Sequence, residues 1–461
     1  MTRIGPGKPA HKMPKKDWKG NSMTKRIPVN CGSPEHAFNR RAFLGGVGGA
    51  LAATAGLDFL GSPALANQLQ HGQKRVIMLF LSGGASQFET WDPKPGRPTG
   101  GPFQTIQTSI PGYRMCELMP RMAARIHKTA VIRSFTSPNN NHDAGGGVDA
   151  LLSGDRRDVG RLRTPSIGCM LAKELSRPGS RVPDHVGLYT TYVGFNNNVQ
   201  VDFPAFLGAA CQPVNILNKL APDDIGSLTF MSDRDHRERE TLRDALSGGF
   251  YRGRGRDATA ASHREAYGRV RGMMESHRLF DISQEPQTVR NRYGHSLFGQ
   301  QALVARRLIE AGVPFVRLNR GWWDSHGENF EIHASLVPDL DKVMSALLDD
   351  LEQRGLMEDT LVVTFAEMGR TPTINAMRGR DHWGRCWSVT LTGSGIRPGV
   401  VHGSTNVDGT DYATDPVTAA QFFATIFRAV GIDHQKTYLS PDGRPIHLTP
   451  YNTNPVAAVL A

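Results

Sequence analysis

The sequence predicts a doubly wound α/β fold with a mostly parallel central sheet, on three observations. Short, continuously apolar runs recur along the chain. Each run stops abruptly at small or polar residues. Amphipathic stretches with three- and four-residue spacing lie between them.

Taken in order, the first run covers residues 76–81 and ends at Ser82-Gly83-Gly84. A run apolar on both faces fits a central strand covered by helices. Residues 129–135 repeat the pattern and end in Thr136-Ser137-Pro138-Asn139. Residues 165–175 read as a helix, with Thr164 as cap and Pro165 at the first helical position. Residues 313–318 form a third run, ending in Asn319-Arg320-Gly321. Residues 330–354 place Ile332, Leu336, Leu340, Val343, Leu347 and Leu351 on one helical face and stop at Gly355. Residues 361–365 and 387–391 are two more strands, and residues 416–430 a last helix ending at Gly431.

At 461 residues and 39% hydrophobic, the chain can bury one large core or two ordinary ones, which excludes a disordered protein. The five cysteines, Cys31, Cys116, Cys169, Cys211 and Cys386, form no CxxC pair, so neither a disulfide framework nor a thiolate zinc site is expected. The net charge of +11 does not argue for nucleic acid, because +7 of it lies in residues 1–66.

Those first residues read as an export signal. Arg40-Arg41 precede a mild apolar run over residues 42–57, and Ala64-Leu65-Ala66 follow as a small-x-small cleavage pattern. Paired arginines before a Gly/Ala-rich core fit a twin-arginine signal, which exports a folded protein to the periplasm or beyond. The run is shorter than the ~20 residues that span a bilayer, so no membrane span is expected once the signal is removed. Met13 and Met23 are alternative starts. The mature chain, residues 67–461, is expected to be a single domain. Its Arg-rich stretch over 233–278 reads as a solvated helical insertion, or as an arm that attracts anions.

In open α/β sheets, ligands bind beyond the carboxyl ends of the strands. The residues after the predicted strands are therefore the candidates. Ser82, Ser86, Glu89 and Asp92 follow the first, and Asn139 to Asp143, including His142, the second. Asp324, His326, Glu328 and Asn329 follow the third; Glu367 and Arg370 follow the next; Asp381-His382 precedes the last. Carboxylates with imidazoles suit Zn²⁺ or Mn²⁺, while an all-oxygen subset suits Ca²⁺ or Mg²⁺. Each residue also has a plain structural reading: turn chemistry for Ser82 and Asp324, a cap neighbour for His142, a Glu367–Arg370 pair, a packed His382.

The quoted residues bring a family into view. Arg75-Val-Ile-Met-Leu-Phe-Leu-Ser-Gly-Gly-Ala-Ser-Gln and Trp91-Asp-Pro-Lys-Pro resemble the opening of the family termed domain of unknown function 1501. Tyr293-Gly294, the run from Ala305 to Val316, Trp323-Asp-Ser-His-Gly, Glu367-Met-Gly-Arg-Thr-Pro and Gly379-Arg-Asp-His-Trp extend the likeness over residues 74–433. That family is similar to the alkaline phosphatase and sulfatase superfamily, which implies an α/β/α sandwich and metal-assisted hydrolysis of phosphate or sulfate esters. The implied substrate is an anionic ester such as a sulfated or phosphorylated glycan.

Departures from the superfamily pattern are specific. The metal-binding Asp-His pair that ends one sulfatase stretch reads Glu367-Met368, and the Asp-Asp after the first strand reads Ser82-Gly83. No Cys/Ser-x-Pro-x-Arg nucleophile occurs at His142-Asp-Ala-Gly-Gly-Gly. Two readings follow. In the first, Asp324, His326, Glu367 and His382 ligate a divalent metal (Zn, Mn, Ca or Mg) and His142 is a ligand or general acid. Arg370 then clamps the anion, and Ser82 or Ser86 supplies a nucleophile. In the second, the chain is a non-catalytic exported binding or assembly protein on the same fold.

Overall fold

The computed structural model describes residues 72–142, 148–155, 163–177, 180, 182–190, 202–220, 238, 241–248, 258–275 and 277–461. The export signal, Asp143 and parts of the Arg-rich stretch lie outside the described residues. No helix among the described residues is long and apolar enough to cross a membrane.

A nine-stranded sheet runs in the order Val401–His402, Thr129–Thr136, Trp387–Gly393, Thr360–Phe365, Arg75–Leu81, Phe315–Arg320, His185–Tyr189 and Val214–Leu217, with Val417–Thr418 also pairing onto Thr129–Thr136. Every pairing is parallel except the two made by Trp387–Gly393, which runs antiparallel to both neighbours. The expected α/β class and mostly parallel sheet are present.

Arg75–Leu81 shows why its run is apolar on both faces. Ile77, Leu79 and Leu81 enter one buried cluster with Leu340, Val343 and Leu347 of the helix Asn329–Gln353. Val76, Met78 and Phe80 enter another with Phe422, Phe423 and Ile426 of the helix Ala419–Ala429. Alternate side chains thus feed two cores, one on each face, and the sheet lies between helical layers.

Some boundaries differ from expectation. The helix predicted from Pro165 is Ile167–Leu175, preceded by Ser166 rather than Thr164. Ser166 gives the helix no side-chain cap because its hydroxyl donates to Asp202 Oδ1 at 2.8 Å. The last helix begins at Ala419, after the short strand Val417–Thr418, and Thr418 and Gln421 close a reciprocal capping box there. The strands His185–Tyr189 and Val214–Leu217 were not foreseen; each is five residues or fewer, and Gly187 and Asn215 interrupt their apolar runs. Within the Arg-rich stretch, residues 241–248 and Ala258–Glu275 are helical.

Candidate metal centre

Register brings the candidate segments to one edge. Leu81 stands opposite Arg320, and Phe80 opposite Phe365, so three adjacent parallel strands end together. Trp387–Gly393 reaches the same edge by its beginning, because it is antiparallel: Trp387 faces Phe135. The segment before it folds back as His382–Trp383 onto Gly369–Arg370, which places Asp381 and His382 beside the loops after the parallel strands.

Asp324 Oδ1 is the focus. Nε2 of His326 lies 3.1 Å from it, Nε2 of His382 3.2 Å and Nε2 of His142 3.4 Å. The two Nε2 atoms of His326 and His382 are 3.0 Å apart. Donor atoms of His142, Asp324 and His382 all lie within 4.8 Å of one another, close enough to share an ion. On the far side of each ring, Nδ1 has its own partner: Glu367 Oε1 at 2.9 Å for His142, Asp381 Oδ1 at 2.7 Å for His326, and the Asn140 carbonyl at 2.9 Å for His382.

Arg370 is fully buried, and its guanidinium is used within the protein. It donates to the carbonyls of Gly84 (2.9 Å), Arg380 (3.0 Å) and Gly83, and to Asp324 Oδ1 at 2.5 Å. Glu367 is likewise buried; its Oε1 accepts from the Gly83 amide at 2.6 Å, while Oε2 makes no hydrogen bond among the described residues. The turn between them has no spare room. A Cβ on Gly83 would sit 2.5 Å from the Asp324 amide nitrogen, and its φ of +111° suits only glycine.

The electrostatics follow from these contacts. Burial works against the Asp324 charge, but the neighbouring His142, His382 and Arg370 outweigh it and hold the carboxyl well below the usual carboxylate range. Burial likewise works against a charged His142, yet the carboxylates of Asp324 and Glu367 lift it to about 9. The cluster thus stores negative potential that attracts protons or a cation.

Of the eight residues given roles in the metal reading, the structure gathers five, His142, Asp324, His326, Glu367 and His382, with Arg370 directly behind Asp324. Ser82 adjoins the cluster through the Gly83 amide and is itself buried. Ser86 is fully buried, its hydroxyl accepting from the Phe88 amide at 3.3 Å and its amide donating to His333 Nε2 at 3.2 Å. Glu89 and Asp92 are occupied elsewhere, Glu89 with Arg380 and Asp92 with Lys94 and Arg133. Sequence reasoning missed the anchoring partners of the rings. The Asn140 carbonyl carries no sequence signal. Asp381 was visible beside His382, but its pairing with His326 depends on the fold-back of the segment.

The model of the family described as "Protein of unknown function (DUF1501)" matches residues 73–460, and the chain belongs to that family. No curated protein matches the sequence. Among solved structures, the chain is similar to the lipoteichoic acid synthase LtaP from Listeria monocytogenes, at 10% identity and a TM-score of 0.37 over 84% of this chain and 93% of that one. It is similar to the PsFucS1 sulfatase from Pseudoalteromonas sp., at 13% identity and a TM-score of 0.36 over 80% and 72% of the two chains. The phosphonate monoester hydrolase SpPMH from Silicibacter pomeroyi is a third, at 10% identity and a TM-score of 0.35 over 78% and 73%. The α/β architecture rests on the sheet order, not on these likenesses.

Proposed function

We propose that this member of the DUF1501 family is an exported, metal-dependent hydrolase of phosphate or sulfate esters, working at the sheet edge around Asp324. The convergence of three imidazole Nε2 atoms on one carboxylate oxygen carries the reading. A bound divalent ion would polarise an ester oxygen and make a nucleophile available near neutral pH. His142, His326, His382 and Asp324 would bind it, and Arg370 holds Asp324 in place rather than gripping the substrate anion. Ser86 is structural in this reading, its hydroxyl and amide both spent inside the protein; Ser82 is the serine that adjoins the cluster. Substrate charge would then be met chiefly by the metal, because Arg370 is spent on carbonyls and Asp324.

The test is a panel of phosphate and sulfate esters, sulfated and phosphorylated glycans included, assayed with added Zn²⁺, Mn²⁺ or Ca²⁺. Ester cleavage should require the ion and fall at least a hundredfold in His382→Ala, the scale expected when an electrostatic group is lost. A folded, metal-loaded protein that cleaves none of the esters would leave a non-catalytic binding protein instead.

A further inference from the structure

The hydrogen-bond inventory around the three rings specifies more than proximity. Resting on the metal-site reading above, we infer that the centre selects a borderline transition-metal ion over Ca²⁺ or Mg²⁺, and that Asp381 and Glu367 are positioning residues that aim the imidazoles at it.

A backbone carbonyl can only accept, so the Asn140 carbonyl fixes a proton on Nδ1 of His382. The Asp381 carboxylate oxygen lies 2.7 Å from Nδ1 of His326 and, like the carbonyl, accepts there, so that Nδ1 also carries the proton. The buried Glu367 Oε1 receives both the Gly83 amide and Nδ1 of His142. All three rings therefore turn their second nitrogen inward. That leaves three Nε2 atoms and one carboxylate oxygen facing each other, with His326 and His382 only 3.0 Å apart.

Facing acceptors at that distance repel unless something positive lies among them. His142 shows the same need: its side chain is only 9% exposed, and its Nε2, 3.4 Å from Asp324, makes no hydrogen bond among the described residues. A cation among His142, Asp324 and His382, whose donor atoms lie within 4.8 Å of one another, answers these acceptors, and His326 Nε2 stands beside it, 3.0 Å from that of His382. With a metal ion in place of the proton that the carboxylates otherwise hold on His142, the neutral imidazoles and the carboxylate form a donor set for Zn²⁺, Co²⁺ or Mn²⁺; Ca²⁺ and Mg²⁺ require mostly oxygen. Metal-binding histidines characteristically give their other N–H to a carboxylate or carbonyl, and losing that partner costs about 10- to 100-fold in affinity. Here all three rings have one. Glu367 thus belongs behind His142, not among the ligands.

The experiment measures dissociation constants of the full chain for Zn²⁺, Co²⁺, Mn²⁺, Ca²⁺ and Mg²⁺ by competition with a chromophoric chelator, with the Co²⁺ absorption spectrum as a second readout. The wild type should prefer Zn²⁺ and Co²⁺ over Ca²⁺ and Mg²⁺ by at least a hundredfold. Asp381 suits deletion, because its side chain is 56% exposed and lies outside the core. Asp381→Ala should keep its circular dichroism and thermal unfolding yet weaken Zn²⁺ about 10- to 100-fold, and Asp381→Asn, which keeps an acceptor oxygen, should recover part of that loss. Glu367→Gln should shift the Co²⁺ spectrum without abolishing binding. Equal affinity for Ca²⁺, or Asp381→Ala indistinguishable from wild type, overturns this inference while leaving a metal site in place. A folded wild type that binds none of the five ions overturns the functional reading as well.

Discussion

Two buried residues show how side chains near the centre are fixed. Arg370 spends its fork on three carbonyls and Asp324. A lysine in its place offers a point charge without the planar spread of donors. Arg370→Lys should therefore leave buried carbonyls unpaired at a cost of about 1–3 kcal/mol, and loosen Asp324 enough to weaken Zn²⁺ measurably by titration. His333 is the second. Its Nδ1–H donates to the Asn329 carbonyl at 2.8 Å, and its Nε2 accepts from the Ser86 amide at 3.2 Å. Complete burial holds its pKa at about 4, against an ordinary 6.5. Because the folded value is the lower one, the unfolded chain takes up the proton first as pH falls. The stabilisation is whole above about pH 6.5 and drains away between there and about pH 4, a change on the order of 3 kcal/mol. Urea midpoints at pH 7 and pH 4.5 should show the wild type's advantage over His333→Gln shrinking at the lower pH; a constant gap would count against the neutral ring.

Loops and strands set where the centre forms. The Ser82–Gly84 turn presses on the chain at Trp323 and Asp324, so Gly83→Ala both collides with Asp324 and demands a strained φ. Strain of this kind costs about 1–3 kcal/mol; the variant should melt lower and lose metal, whereas Gly268, in the helix Ala258–Glu275 with open space where a Cβ would go and no positive φ, should tolerate alanine. At this scale the sequence was legible in part. Continuous apolar runs marked the strands now seen at Arg75–Leu81 and Thr360–Phe365, and polar residues after them marked the edge. The antiparallel course of Trp387–Gly393 was not readable, since its alternation of Trp387, Val389 and Leu391 with Ser388, Thr390 and Thr392 marks a strand without giving its direction. That direction is what brings His382 to Asp324. Nor can spacing tell an inner donor from an outer anchor: the 2.9 Å contact between Glu367 Oε1 and Nδ1 of His142 has no counterpart in any sequence pattern.

Across the molecule, distant segments are tied by buried ion pairs rather than by the core alone. Arg380 meets Glu89 at 2.9 Å with both side chains essentially inaccessible, and its remaining donors reach the carbonyls of Thr99, Thr371 and Pro372. Glu89→Ala would strand that guanidinium, and removing one partner of a buried pair costs about 3–5 kcal/mol; a matching fall in unfolding free energy is expected, with Glu89→Gln intermediate. The proposed export of the chain is checked by fractionation: Arg40→Lys with Arg41→Lys should retain the protein in the cytoplasm if the paired arginines are read as a twin-arginine signal. The cluster around Asp324 holds one divalent ion or none. Elemental analysis of the purified full chain after brief dialysis against Zn²⁺ decides between them. About one equivalent per chain is predicted on the donor set of four, lost in Asp324→Ala and in His382→Ala; a folded wild type without bound metal would contradict the account.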